Sequence, residues 1–176
     1  MSEAGWRVRP ATRGDATALA LVGAATFLET FADILDGAAV LAHCRDANAP
    51  AAYAHYLESG AVAWLGETHK GAPVGFALLI APELPQELVQ PGDLELKRIY
   101  LLSRFHGIGL GAALMDAAVA EARARGAPRL LLGVYAHNAR AIAFYRKQGF
   151  VPIGMRQYAV GAELYDDVVL ARSLPN

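Results

Sequence analysis

The sequence predicts an α/β (α+β) chain: one mixed sheet of about seven strands with helices on both faces, in the order β-α-α-β-β-β-α-β-α-β-β. Three observations lead there. Strand-type segments alternate with Ala- and Leu-rich helical stretches. One strand pattern, residues 94–102, passes through the glycine-spaced turn Arg104-Phe105-His106-Gly107-Ile108-Gly109-Leu110-Gly111 into a helix. The chain closes on two consecutive strand patterns around Gly161, which read as a terminal hairpin.

Each element has its own signal. Residues 6–9 alternate as a short first strand. Thr12 with Asp15 three residues later marks the start of a helix running to about Phe31. Residues 36–59 are Ala-rich and helical, broken near Ala49-Pro50, and Gly60 ends them. Residues 61–68 and 73–80 are strands joined by a hairpin turn at His69-Lys70-Gly71. Residues 81–92 hold three prolines and read as a loop. Residues 94–102 carry apolar side chains at alternate positions. Residues 112–125, free of Gly and Pro, form the next helix. Residues 129–135 are a strand, a helix runs on from Asn138, and residues 150–160 and 164–172 are the last strands. No repeat or linker interrupts the series, so residues 1–176 are expected to form a single domain.

Composition narrows the function. A chain of 176 residues, 55% hydrophobic and 19% charged, can bury a real core. Its net charge of −1 gives no basic footprint, so neither nucleic acid nor an acidic membrane surface is expected as a partner. Cys44 is the single cysteine; it excludes an internal disulfide and suits a reducing compartment. Residues 1–6 show no secretory leader, and no run of 18 apolar residues offers a membrane span. A cytoplasmic enzyme is expected. His43, His55, His69 and His137 lack metal-ligand spacing, so no metal site is expected.

A strand that turns through glycines into a helix presents free backbone N–H groups at the helix N-terminus, where the helix dipole adds positive charge. That is a seat for a phosphate or pyrophosphate. No Lys-Ser or Lys-Thr pair succeeds these glycines, so a P-loop is excluded, and Gly111 falls one residue too early for a dinucleotide fingerprint. What remains is R-x-x-G-x-G at Arg104, Gly107 and Gly109. Downstream, Asn138-Ala139-Arg140-Ala141-Ile142-Ala143-Phe144-Tyr145-Arg146-Lys147-Gln148-Gly149-Phe150 fills N-x-x-A-x-x-x-Y-x-x-x-G-F. In this order the two motifs resemble those of the GNAT superfamily of N-acetyltransferases. The resemblance covers residues 94–155 specifically and implies a mostly antiparallel GNAT-type sheet. Ser103 stands where proline is frequent in that family.

The resemblance implies acetyl-CoA as cofactor and acetyl transfer to a primary amine by direct attack in a ternary complex. It implies a cofactor site made of Leu101, Leu102, Arg104, His106, Gly107, Ile108, Gly109, Leu110, Gly111, Asn138 and Tyr145. In the family the fourth and fifth strands splay apart, and Leu101 or Leu102 should offer an unpaired N–H to the thioester carbonyl. Tyr145 lies two helical turns beyond Asn138, and a phenol is matched in basicity to a thiolate leaving group, so it is the candidate acid. Asn138 also reads as the N-cap of its helix, a role that does not compete with cofactor contact. Glu95 sits where related enzymes carry a base-type glutamate; it is the candidate base, alongside a surface ion-pair reading with Lys97 and alongside a water chain. Arg104 and His106 add positive charge beside the pyrophosphate. Asp166 and Asp167 are read as surface residues.

Acceptor choice rests on less. Phe27-Leu28-Glu29-Thr30-Phe31 resembles an F-x-x-T-F segment of the bacterial spermidine/spermine acetyltransferase branch, which places Phe27, Thr30 and Phe31 at the acceptor cleft. Glu29, Asp33 and Asp36 could face a polyamine or be a solvated helix face. Three functions stay open: acetylation of a small-molecule amine such as a polyamine, acetylation of a protein or peptide, and CoA sensing without turnover. A homodimer is compatible with the sequence.

Overall fold

The computed structural model describes residues 5–175; the leader reading at residues 1–4 lies outside the described residues. The elements are β1 (Trp6–Pro10), α1 (Ala16–Phe31), α2 (Gly37–Asp46), α3 (Pro50–Glu58), β2 (Val62–Thr68), β3 (Pro73–Ile80), β4 (Leu94–Leu101), α4 (Leu110–Ala124), β5 (Arg129–Tyr135), α5 (Ala139–Lys147), β6 (Val151–Val160) and β7 (Glu163–Ser173). They form a seven-stranded sheet ordered β1-β2-β3-β4-β5-β7-β6. Every pairing is antiparallel except β4 with β5.

Strand side chains alternate between two cores. From β2 and β3, Ala63, Leu65, Phe76, Leu78 and Ile80 pack under α1 and α3. Trp64, Ala77 and Leu79 point the other way, against α4 and α5. Burial on both faces explains why β3 reads as an unbroken apolar run. The Thr12–Asp15 box is present: Thr12 N–H donates to Asp15 Oδ2 at 2.7 Å. The second helical stretch is two helices, because Pro50 starts a new one at its first turn while Asp36 Oδ2 caps α2 through Ala38 N–H at 3.0 Å. The helix after the glycine turn starts at Leu110, two residues earlier than residue 112, since Gly109 is its N-cap.

The centre of the sheet positions the site. β4 and β5 pair only at Leu94↔Leu130 and Glu95↔Leu131 and then separate. Beyond that point β4 stays bound to β3, up to Gly75↔Leu101, while β5 stays bound to β7, up to Tyr135↔Asp167. A wedge opens between two strands that each keep one partner. β4 also bulges: Leu78 faces Arg98 and Leu79 faces Leu96, so Lys97 is an extra residue. A bulge re-aims the side chains beyond it. Leu96 lies in the α4 core, yet Arg98 turns to α3 and bonds Tyr53.

Candidate active site

The wedge opens into a cleft of about 720 Å³ that runs from the glycine turn to α1 and the β6–β7 hairpin. In the turn, Gly107 and Gly109 hold φ of +78° and +88°. A Cβ at Gly107 would meet nothing within 4 Å, and one at Gly109 only the Trp6 ring at 3.7 Å. Conformation rather than packing therefore demands these glycines. The first helical bond runs from Ala113 N–H to Gly109 O at 3.0 Å, which leaves the amides of Leu110, Gly111 and Ala112 unspent within the helix. Gly111 differs: a Cβ there would sit 3.8 Å from Leu101 and Phe144, ordinary contact.

Leu102 N–H donates to Val74 O at 2.9 Å, so its amide belongs to the sheet. Ladder alternation then turns the Leu101 N–H toward the wedge. Of the two expected donors, Leu101 alone is so placed. The Leu101 carbonyl accepts from His106 Nε2 at 2.7 Å, and His106 Nδ1 is buried with no partner. The ring thereby ties the turn to the end of β4.

The structure brings Leu101, His106, Gly107, Gly109, Gly111, Asn138 and Tyr145 into one wall, with Phe27, Thr30 and Phe31 opposite. Asn138 Oδ1 caps α5 by accepting from Ala141 N–H at 3.1 Å while facing the cleft. Tyr145 is 9% exposed and packs on Phe144 and Phe150, with ring centroids 5.5 and 6.0 Å away. Burial holds its phenol well above the ordinary tyrosine range, so it keeps its proton. Phe27 stacks on His43 at 4.0 Å, and Thr30 donates its hydroxyl to Thr26 O at 2.8 Å within α1.

Other expected residues sit elsewhere. The side chains of Arg104 and Ile108 are exposed outside the wall, and Leu110 is fully buried in the α4 core. Glu95 lies on β4, as its spacing from Arg104 implies. It is 1% exposed and absent from the cleft wall, and its Oε2 accepts from Glu83 N–H at 2.7 Å, tying down the β3–β4 loop. Burial raises its carboxyl. Lys97 pairs with Glu83 at 2.7 Å instead of with Glu95. The acids in and just after α1 are also spent or outside: Glu29 accepts from Ser103 N–H at 3.1 Å and Oγ at 3.0 Å, Asp36 caps α2, and Asp33 is exposed off the wall.

Asp167, expected at the surface, is instead buried. It is 6% exposed, lines the cleft, and accepts from Arg156 Nε at 3.0 Å, whereas Asp166 is exposed. Burial raises its carboxyl despite that partner. Period-two alternation held the signal, since Asp167 shares its face of β7 with buried Val169. Among the described residues no His, Cys, Asp or Glu group could hold a metal ion, and no helix is long and apolar enough to cross a membrane.

A sheet parted between β4 and β5, with a glycine turn feeding amides into the gap, defines an acyl-CoA-binding α/β enzyme. The chain belongs to the Acetyltransferase (GNAT) family, whose profile matches residues 28–150. It is 41% identical over 130 residues to an uncharacterized N-acetyltransferase of Mycobacterium tuberculosis, covering 73% of this chain and 79% of that protein. The fold matches a GCN5-related N-acetyltransferase from Rhodopseudomonas palustris (TM-score 0.75, 25% identity, 99% of each chain). It also matches the PaiA N-acetyltransferase of Thermoplasma acidophilum in complex with coenzyme A (TM-score 0.77, 18% identity, 99% of this chain and 100% of that one). An acetyltransferase of this family takes its acetyl group from acetyl-CoA.

Proposed function

We propose that the protein acetylates the primary amine of a small molecule by direct attack in a ternary complex with acetyl-CoA. The carrying observation is that the glycine-turn amides, the Leu101 N–H and Tyr145 converge on one cleft whose far end is walled by α1 and β7. The turn fits the cofactor: Gly107 and Gly109 hold positive φ, and the amides of Leu110, Gly111 and Ala112 stay unspent within α4, a donor set suited to a diphosphate. Bound acetyl-CoA supplies an activated thioester. Leu101 N–H is the donor for a carbonyl oxygen gaining charge. Tyr145 holds a proton at its hydroxyl for the departing sulfur. We assign proton acceptance to Asp167, which lines the cleft, in place of Glu95, which does not.

Two observations favour a small acceptor that is not a polycation. Phe27, Val40 and Val160 form one apolar cluster with Ala39 and Tyr158, which ties α2 to the β6–β7 hairpin and favours a compact acceptor over an extended peptide. Lys97 and Arg156 are ion-paired, with Glu83 and Asp167, and among the other charges of the wall Arg98, Arg140 and Lys147 outnumber Glu29, a balance that disfavours spermidine. A thiol-release assay with acetyl-CoA over spermidine, spermine, amino acids and short peptides tests this reading. Release dependent on small amines supports it. Release only with peptides, or tight CoA binding with no amine-dependent release, contradicts it.

A further inference from the structure

Arg98 is the group the proposed chemistry leaves unexplained. The bulge at Lys97 turns it to the α3 side of the sheet, where it is 7% exposed and lines the cleft. Its Nη1 makes every bond it has to the protein: Ala47 O at 3.0 Å, Tyr53 hydroxyl at 2.7 Å and Asn48 Oδ1 at 3.3 Å. None of these acceptors is a carboxylate. Among the described residues Nε and Nη2 have no acceptor at all.

The neighbouring cations are treated differently. Lys97 is neutralised by Glu83 at 2.7 Å and Arg156 by Asp167 at 3.0 Å. The Tyr53 ring lies under the guanidinium, 5.2 Å from its carbon to the centroid, and offsets part of the cost of burial, but no carboxylate among the described residues balances the charge. The wall acid on α1, Glu29, is committed to Ser103. His43, also in the wall, is held down to about 4 by burial and by the Arg98 charge, so it stays neutral and offers no anion site of its own. Two unspent nitrogens on one planar fork match a carboxylate.

We infer that the acceptor amine also carries a carboxylate, bound by Nε and Nη2 of Arg98, so that the acceptors are amino acids or similar amino-carboxylates. This rests on the acetyl-transfer reading above. It makes Asp167 and Arg98 the opposite ends of one zwitterion site, ammonium toward the first and carboxylate toward the second.

The test uses matched acceptors with the full-length enzyme: phenylalanine against phenylalaninamide and phenethylamine, and leucine against leucinamide. The carboxylate partner should lead by about 10- to 100-fold in kcat/KM, carried by KM, the range for a charge-assisted pair of bonds. Arg98→Met should shrink that lead to less than about threefold, and Arg98→Lys should keep part of it, with thermal melts confirming folded protein. A second readout needs no variant and no turnover. N-acetylphenylalanine added to the CoA complex should raise the His43 titration midpoint by NMR, and its carboxamide should not. Equal or better use of the neutral partners, an unchanged lead in Arg98→Met, or an unmoved His43 overturns the inference while leaving acetyl transfer intact. No transfer to any amine overturns both.

Discussion

At the end of β4, the glycine turn and the start of α4, the cleft presents main-chain groups; around Arg98, α1, α2 and the β6–β7 hairpin it presents side chains. The first half depends on two positive-φ glycines and on a ladder in which Leu102 spends its amide and Leu101 does not. Such a site is indifferent to most side-chain changes and intolerant of a misplaced Cβ. The second half depends on which residues stand at Arg98, Asp167, Phe27 and Phe31, so its chemistry can change while the scaffold stays. Cofactor and acceptor are thus read by different physics, and variants should separate them.

Gly109→Val should have the largest effect. A β-branched residue at φ +88° forces the turn to rearrange, and CoA affinity should fall on the order of 100-fold by calorimetry. Gly111→Ala is the control. Its Cβ meets only 3.8 Å contacts, and affinity should stay within about twofold. Equal losses in the two variants would erase the distinction between required and dispensable glycines.

Tyr145→Phe should lower kcat on the order of 100-fold while CoA affinity is kept. Unchanged turnover would remove Tyr145 as the acid. Asp167→Asn should come next, with a loss of roughly tenfold or more in kcat/KM. The sign is set by protonation: a base works ionised, and burial raises the Asp167 carboxyl, so kcat/KM should fall as pH drops through a midpoint above the ordinary aspartate value. That acid limb should vanish in the Asn variant and persist in Glu95→Gln. The opposite pattern would return the role to Glu95.

The smallest effect is on stability. His43 is held near 4 in the fold and is near its usual 6.5 when unfolded. The unfolded chain therefore binds the extra proton first, and stability should decline as pH falls from about 6.5 toward 4. His43→Gln should flatten that part of a melting-temperature profile. An unaltered slope would mean that other groups carry it.

The contrast also explains what the sequence disclosed. The turn and the Asn138 helix are contiguous, so local spacing reveals them, and the strands lie within a residue of their expected ends. Arg98 is hidden because strict alternation puts it on the face of Leu96, and only the bulge at Lys97 reverses that. Alternation puts Asp167 on the face of buried Val169, but its place in the cleft depends on the wedge between β4 and β5, which no local pattern encodes. Glu95 looks like a base because a lone acid among apolar strand residues is equally the signature of a buried loop anchor, and here it holds Glu83 N–H. The split of the second helical stretch is visible in Pro50, which starts α3.

The most direct measurement is a crystal structure of the protein with acetyl-CoA. The diphosphate should lie on the amides of residues 107–112, and the pantetheine arm should fill the gap between β4 and β5. A cofactor bound with its diphosphate away from that turn, or with β4 and β5 zipped together past Glu95, would contradict the assignment of the cofactor site.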